Sequence, residues 1–164
     1  MTLNSFNESH TTFLCLGSNM GDRRKNLASA LERLEKIGEI TAQSQEYETD
    51  AVGYVSQPLF LNQMVKVQTK LPPRNLLQEI LTIESSLGRT RSFPFAPRTI
   101  DIDIILYEDW IVDEPGLTIP HPRMHERRFV LAPLGELEPK LIHPRMEKSI
   151  SALETYSLGN IHLA

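Results

Sequence analysis

Ala96-Pro97-Arg98-Thr99-Ile100-Asp101-Ile102-Asp103-Ile104-Ile105-Leu106-Tyr107 is the stretch on which the reading of this chain turns. From Thr99 polar and apolar residues alternate, the period-two pattern that predicts a half-buried β-strand. Ile100, Ile102, Ile104 and Leu106 are expected on one face, and Asp101, Asp103 and Ile105 on the other. Residues two apart on a strand have their bases roughly 6–7 Å apart, so the two carboxylates project side by side. Two like charges on one strand face repel, and Asp is a poor strand residue. A positive group is therefore expected beside them, either Arg98 or a divalent metal.

Strands and helices alternate on both sides of this element. Thr11 to Gly17 reads as a strand, followed by a turn at Gly17-Ser18-Asn19 and Gly21-Asp22. A helix is expected from about Arg23, with Asp22 as its cap, Leu27, Ala30, Leu31, Leu34 and Ile37 at helical spacing, and Gly38 as its stop. Residues 39–48 lean towards a strand, 49–58 towards a loop, and Phe60 to Thr69 reads as a strand. Pro72 and Pro73 open a second helix whose apolar positions are Leu76, Leu77, Ile80, Leu81, Ile83 and Leu87, with Gly88 ending it. Glu84 lies near that apolar stripe, close to the arginines that follow. After the acidic strand, Trp110 to Val112 is expected to pair back on it as a hairpin. A short helix is expected from near Pro122 to near Pro133, and a turn or two of helix after Ser149. Strand, helix, strand, strand, helix, strand is the split βαβ plan of a ferredoxin-like α+β fold, βαββαβ, in which an antiparallel sheet carries two helices on one face.

The 164 residues suffice for one domain with a sizeable core, so residues 1–164 are expected to form a single unit, with residues 1–10 a disordered N-terminal extension. A net charge of −4 argues against non-specific binding to nucleic acid or to an anionic membrane. Cys15 is the only cysteine, so no intrachain disulfide can form; in Phe13-Leu14-Cys15-Leu16 it reads as a buried inert thiol. With no signal-like amino terminus and no apolar run of about 20 residues, a cytoplasmic protein is expected.

Four arginines bracket the acidic pair: Arg89, Arg91 and Arg98 before it and Arg127 after it. Their planar forks suit phosphate oxygens, although Arg89 and Arg91 could equally complement a helix carboxyl end. Gly17-Ser18-Asn19-Met20-Gly21 lacks the lysine and spacing of a phosphate-binding P-loop. His121 and His125 lack the partners of a zinc site. The residues alone leave three readings open. One is a nucleotide-using phosphotransferase, another a metal-dependent enzyme acting on a different substrate (such as a glycosyltransferase), and the third a non-catalytic ferredoxin-like ligand-binding module.

Four blocks in order resemble the 6-hydroxymethyl-7,8-dihydropterin pyrophosphokinase family of folate biosynthesis. They are Leu16-Gly17-Ser18-Asn19, Pro58-Leu59-Phe60-Leu61-Asn62, the 96–106 motif, and Leu117-Thr118-Ile119-Pro120-His121-Pro122-Arg123-Met124 followed by Arg127 and Phe129. The resemblance spans about residues 12 to 145. It implies transfer of diphosphate from Mg-ATP to the pterin hydroxymethyl oxygen with release of AMP, by a monomer. It further implies that Asp101 and Asp103 bind two Mg²⁺ ions and that Arg89 and Arg98 offset the moving charge. Glu84, Arg91, Ile104, Thr118, His121 and Arg127 would line the ATP site. Asn62 would read the pterin's amide-like edge beside Thr49 and Val52, with Phe60 and Phe129 sandwiching the ring. Leu81, Gly116, Phe95, Asp50 and Ala51 depart from the residues that some family members carry.

Overall fold

The computed structural model describes residues 8–50, 58–88, 99–157 and 159–164. Its elements run β1 (His10–Ser18), α1 (Arg23–Leu34), β2 (Glu39–Gln43), β3 (Tyr47–Thr49), β4 (Phe60–Thr69), α2 (Pro73–Ser86) and β5 (Asp101–Tyr107). They continue with β6 (Val112–Glu114), β7 (Leu117–Ile119), a 3-10 turn (Met124–Glu126), α3 (Arg128–Leu137), α4 (Ile150–Thr155) and β8 (Ile161–Leu163). The main sheet has the order β5-β1-β4-β3-β8, with β2 also on β4. Every pairing in it is antiparallel. Because β2 and β3 share one neighbour, they fill a single strand position of the βαββαβ plan, and the α+β ferredoxin-like expectation holds.

Local signals account for the helices. The Asp22 carboxylate accepts the Lys25 amide at 3.1 Å and starts α1. Pro73 opens α2, where a missing N–H costs nothing, and the Ser149 hydroxyl accepts the Ala152 amide to start α4. Leu27, Ala30 and Leu34 of α1 with Leu76, Ile80 and Ile83 of α2 cover one sheet face, formed by Leu14, Leu16, Leu61, Val65, Val67, Ile102 and Ile104.

Several expectations need correcting. The second sheet face is not open along its length: Val130, Leu131 and Leu134 of α3 and Ile150 and Leu153 of α4 pack on Phe13, Cys15, Met64, Ile105 and Leu106. Leu106 lies on that face, opposite to its expected side. The register steps from Phe13↔Leu106 to Leu14↔Ile104, so Ile105 is an extra residue, and this bulge turns Leu106 over and puts Tyr107 on the first face. The 39–48 strand is two strands, broken where the Ser44 hydroxyl accepts the Met64 amide at 2.9 Å. Trp110 to Val112 does not pair back on β5; Val112–Glu114 pairs with Leu117–Ile119. The expected 122–133 helix is the 3-10 turn followed by α3, which runs past Pro133 to Leu137. Helix α1 ends at Leu34, before Ile37 and Gly38. Leu81 is 47% exposed and so lies outside the buried stripe of α2. His10 belongs to β1, paired with Thr69, and not to an extension. Strand β8 carried no signal strong enough to predict.

Candidate active site

In an antiparallel sheet, residues paired directly across strands share a face. Tyr47 pairs with Asn62, Asn62 with Gly17 and Gly17 with Asp101, so these four residues form one row across β3, β4, β1 and β5. The next row is Met64, Cys15 and Asp103. Both rows lie on the face that carries α3 and α4, where Cys15 and Met64 are already core. The second core therefore runs directly into the two aspartates, which are half-buried.

Each position in the row has a local cause. Asn62 is 4% exposed and donates from Nδ2 to the Thr49 hydroxyl at 2.7 Å, and Thr49 is itself 4% exposed. Tyr47 donates to Glu136 Oε1 at 2.6 Å while the Gln45 amide donates to Glu136 Oε2 at 2.8 Å, which fastens α3 beside β3. Burial and the bonded Glu136 carboxylate push the Tyr47 hydroxyl up to about 12. Phe60 is half-buried on the same face as Asn62. Phe129 packs on the edge of the second core, and the Arg127 guanidinium stands 5.5 Å from its ring centroid.

Charge links these groups. Burial drives the Cys15 thiol pKa far up, with Asp103 and Asp101 adding to the rise and Arg127 opposing it. The two carboxylates and the guanidinium thus act on one buried atom. His121 is pushed down to about 4 by burial and by Arg127, Asp101 opposing and Arg123 adding, so its imidazole is neutral near pH 7. Its backbone N–H donates to the Ile105 carbonyl at 2.9 Å, and its Nδ1 accepts the Arg123 amide at 3.2 Å. The bulge at Ile105 and this backbone bond together hold His121 against β5.

Glu84 is 3% exposed and its Oε2 accepts the Ile102 amide at 2.8 Å. The bond fastens α2 to β5 at the residue between the two aspartates. It also shows that the Ile102 amide points away from β1. On an antiparallel strand alternate residues point their N–H and C=O the same way, so Ile104 turns its backbone to that outer edge. The Ile104 side chain is buried in the first core, leaving its backbone as what it can offer a ligand. Thr118 is exposed on β7 opposite Asp113. Arg89, Arg91, Arg98 and Val52, and with them the departures at Ala51 and Phe95, lie outside the described residues.

Two residues to which the sequence assigns no role lie beside the site. Arg23 donates to the Leu59 carbonyl at 3.0 Å and pairs with Glu48 at 2.7 Å, while Asn19 donates from Nδ2 to the Pro58 carbonyl at 3.3 Å. They tie the start of α1 to the chain on both sides of residues 51–57. Asn19 closes the block Leu16-Gly17-Ser18-Asn19 that resembles the family, so a signal exists for it; Arg23 gives none beyond opening a helix.

Among the described residues no three His, Cys, Asp or Glu side chains are grouped to hold a metal. The donor set is the adjacent pair Asp101 and Asp103, hard oxygen ligands on one half-buried face. That set fits Mg²⁺, which is usually held by one or two carboxylates, several waters and substrate phosphates.

The family model described as 7,8-dihydro-6-hydroxymethylpterin-pyrophosphokinase matches residues 13–139. The 2-amino-4-hydroxy-6-hydroxymethyldihydropteridine pyrophosphokinase of Aquifex aeolicus is 43% identical over 140 residues, covering 85% of this chain and 88% of that protein. The Bacillus subtilis protein of the same name is 43% identical over 149 residues, covering 90% of this chain and 86% of its own. The folic acid synthesis protein fol1 of Schizosaccharomyces pombe is 44% identical over 134 residues, and the chain matches only 18% of its length. Among solved structures, wild-type Plasmodium falciparum HPPK-DHPS with pterin and p-hydroxybenzoate superposes with a TM-score of 0.72 at 19% identity. That match covers 90% of this chain and 42% of the other, and it speaks for the fold. With the matched region embracing both aspartates, Asn62 and Phe129, the chain belongs to the 7,8-dihydro-6-hydroxymethylpterin pyrophosphokinase family.

Proposed function

We propose that this chain transfers the terminal diphosphate of ATP to the hydroxymethyl oxygen of 6-hydroxymethyl-7,8-dihydropterin and releases AMP, a step of folate biosynthesis. The observation that carries the reading is the row Asn62-Gly17-Asp101. An amide that can read a ring edge and a carboxylate that can hold a metal lie on one sheet face, separated only by a residue without a side chain.

Asn62, steadied by Thr49, reads the amide-like edge of the pterin beside Thr49 and Val52. Phe60 and Phe129 hold the ring between them, a stacking geometry worth roughly 0.5–1.5 kcal/mol beyond area burial. The hydroxymethyl arm then points along the row towards Asp101. Glu84, Arg91, Ile104, Thr118, His121 and Arg127 line the ATP site: Ile104 offers backbone to the base, His121 a neutral imidazole and Arg127 a cation to the phosphates. Asp101 and Asp103 would hold Mg²⁺, two ions in the fullest form of this reading, and a metal bound there would supply screening of the phosphate charge. The hydroxyl oxygen bonds to the β-phosphorus and releases its proton to solvent, the bond from that phosphorus to the α–β bridging oxygen breaks, and AMP departs. Arg89 and Arg98 offset charge on the moving diphosphate. Catalysis of this kind is mostly positioning and electrostatics, and Cys15, paired across the strands with Asp103, is held as a thiol.

We place the reaction in the cytoplasm and assign it to a single chain. No helix among the described residues is long and apolar enough to cross a membrane. The test is incubation with Mg²⁺, the pterin and ATP labelled at the β- and γ-phosphorus. The expected result is one AMP per pterin consumed, with both labels on the pterin. Accumulation of ADP, or free diphosphate with the pterin unmodified, overturns the reading.

A further inference from the structure

Gly17 sits at the centre of the row, and its backbone is not in the left-handed region, so conformation does not call for a glycine there. Space does. A Cβ at residue 17 would stand 2.9 Å from Asn62 Oδ1 and 3.4 Å from Phe60 Cδ1. The Asn62 amide therefore rests with its carbonyl oxygen in the volume that a side chain at residue 17 would take. Its nitrogen is engaged at the other end, donating to Thr49 at 2.7 Å. The amide is fixed by a partner on one side and by an empty seat on the other. That orientation leaves an acceptor above β1, on the line between β4 and Asp101.

We propose that Gly17 is a positioning residue that sets the hydrogen-bonding polarity of the pterin site through Asn62. With the seat open, Asn62 turns an acceptor towards the ligand, and the site selects ring edges that carry an N–H donor. With the seat filled, the amide must rotate away from Thr49 or move off β1, and the acceptor is lost. Both Thr49 and Asn62 are almost fully buried, so a displaced amide has no water at hand to replace its partner. Phe60 needs only a few tenths of an ångström of adjustment, so the effect passes through Asn62. The proposal rests on the pterin reading given above.

The experiment is a double-mutant cycle on pterin binding by calorimetry, with ATP binding measured alongside. Gly17→Ala should weaken hydroxymethyl dihydropterin binding by about ten-fold or more, the scale at which a misfitted pocket discriminates, while ATP affinity stays within about two-fold. In the Asn62→Ala background the same Gly17→Ala change should cost nothing further, because the residue it acts through is gone. If Gly17→Ala alone does not fold, recovery of the fold in Gly17→Ala/Asn62→Ala supports the clash with Asn62, and a double variant that stays unfolded while Asn62→Ala folds overturns it. Equal losses in the two backgrounds, or unchanged pterin affinity in Gly17→Ala, overturn the role of Gly17. A wild type that binds no pterin overturns the functional reading itself, so the two failures are told apart.

Discussion

The two faces of the sheet are built from the same strands and do different work. Under α1 and α2 the face is mostly aliphatic, with Leu14, Leu16, Leu61, Val65, Ile102 and Ile104 all buried and Tyr107 closing one end. Under α3 and α4 the core is Phe13, Cys15, Met64, Ile105 and Leu106, and then it gives way to Asp103, Asp101, Gly17 and Asn62. One side of the sheet can thus be closed for stability, and only the other has to tolerate half-buried charge. Strand β5 meets both demands at once by alternation: Ile102 and Ile104 anchor it on the first face while its aspartates stand on the second. Glu84, reaching round from α2 to the Ile102 amide, ties the closed face to the working one.

If this division is right, damage to the two faces should be separable. The largest effect is expected on the closed face. Leu34→Ala, at a fully buried position of α1, should lower unfolding free energy by about 2.7–5 kcal/mol in a denaturant titration, while activity per folded molecule is kept. Loss of activity in the folded fraction would show that the closed face also shapes the site. Next comes the working face. Asp101→Asn or Asp103→Asn keeps size and strand geometry, and should reduce kcat by about two to three orders of magnitude with little change in the denaturation midpoint. Near-normal turnover in either would make the acidic face structural.

The smallest effect tests the layer that closes the second face. His143 is 3% exposed, and its Nδ1 accepts the amides of Arg145 and Met146 at 3.1 Å each. Burial holds its pKa below the ordinary 6.5, with the neighbouring His125 and Arg145 adding and a backbone bond opposing. The unfolded chain therefore binds a proton at this residue more readily than the folded one. Stability is full above pH 6.5 and falls as the pH drops below it, by at most about 1.4 kcal/mol per pH unit. His143→Asn, which keeps an acceptor without a titrating ring, should flatten that part of the profile. An unchanged slope would mean that other groups set it.

The sequence by itself determined most of the elements and much of the site's composition, because those signals are local. Alternation in 99–104 placed Asp101 and Asp103 together, Asp22 and the prolines at 72 and 73 marked helix starts, and four blocks in order carried the family. Tertiary structure decided what depends on partners far along the chain. The bulge at Ile105, which turns Leu106 to the second face, exists only in the register between β5 and β1. That α3 runs through Pro133 follows from its packing on the second core, a contact that outweighs the local breaker signal. Strand β8 forms because β3 offers it an edge, which three residues of sequence could not announce. Gly17 read as the start of a turn and is instead the gap between an amide on β4 and a carboxylate on β5. A glycine's local signal is freedom of its own backbone, whereas here its value is the space it leaves for side chains from strands on either side.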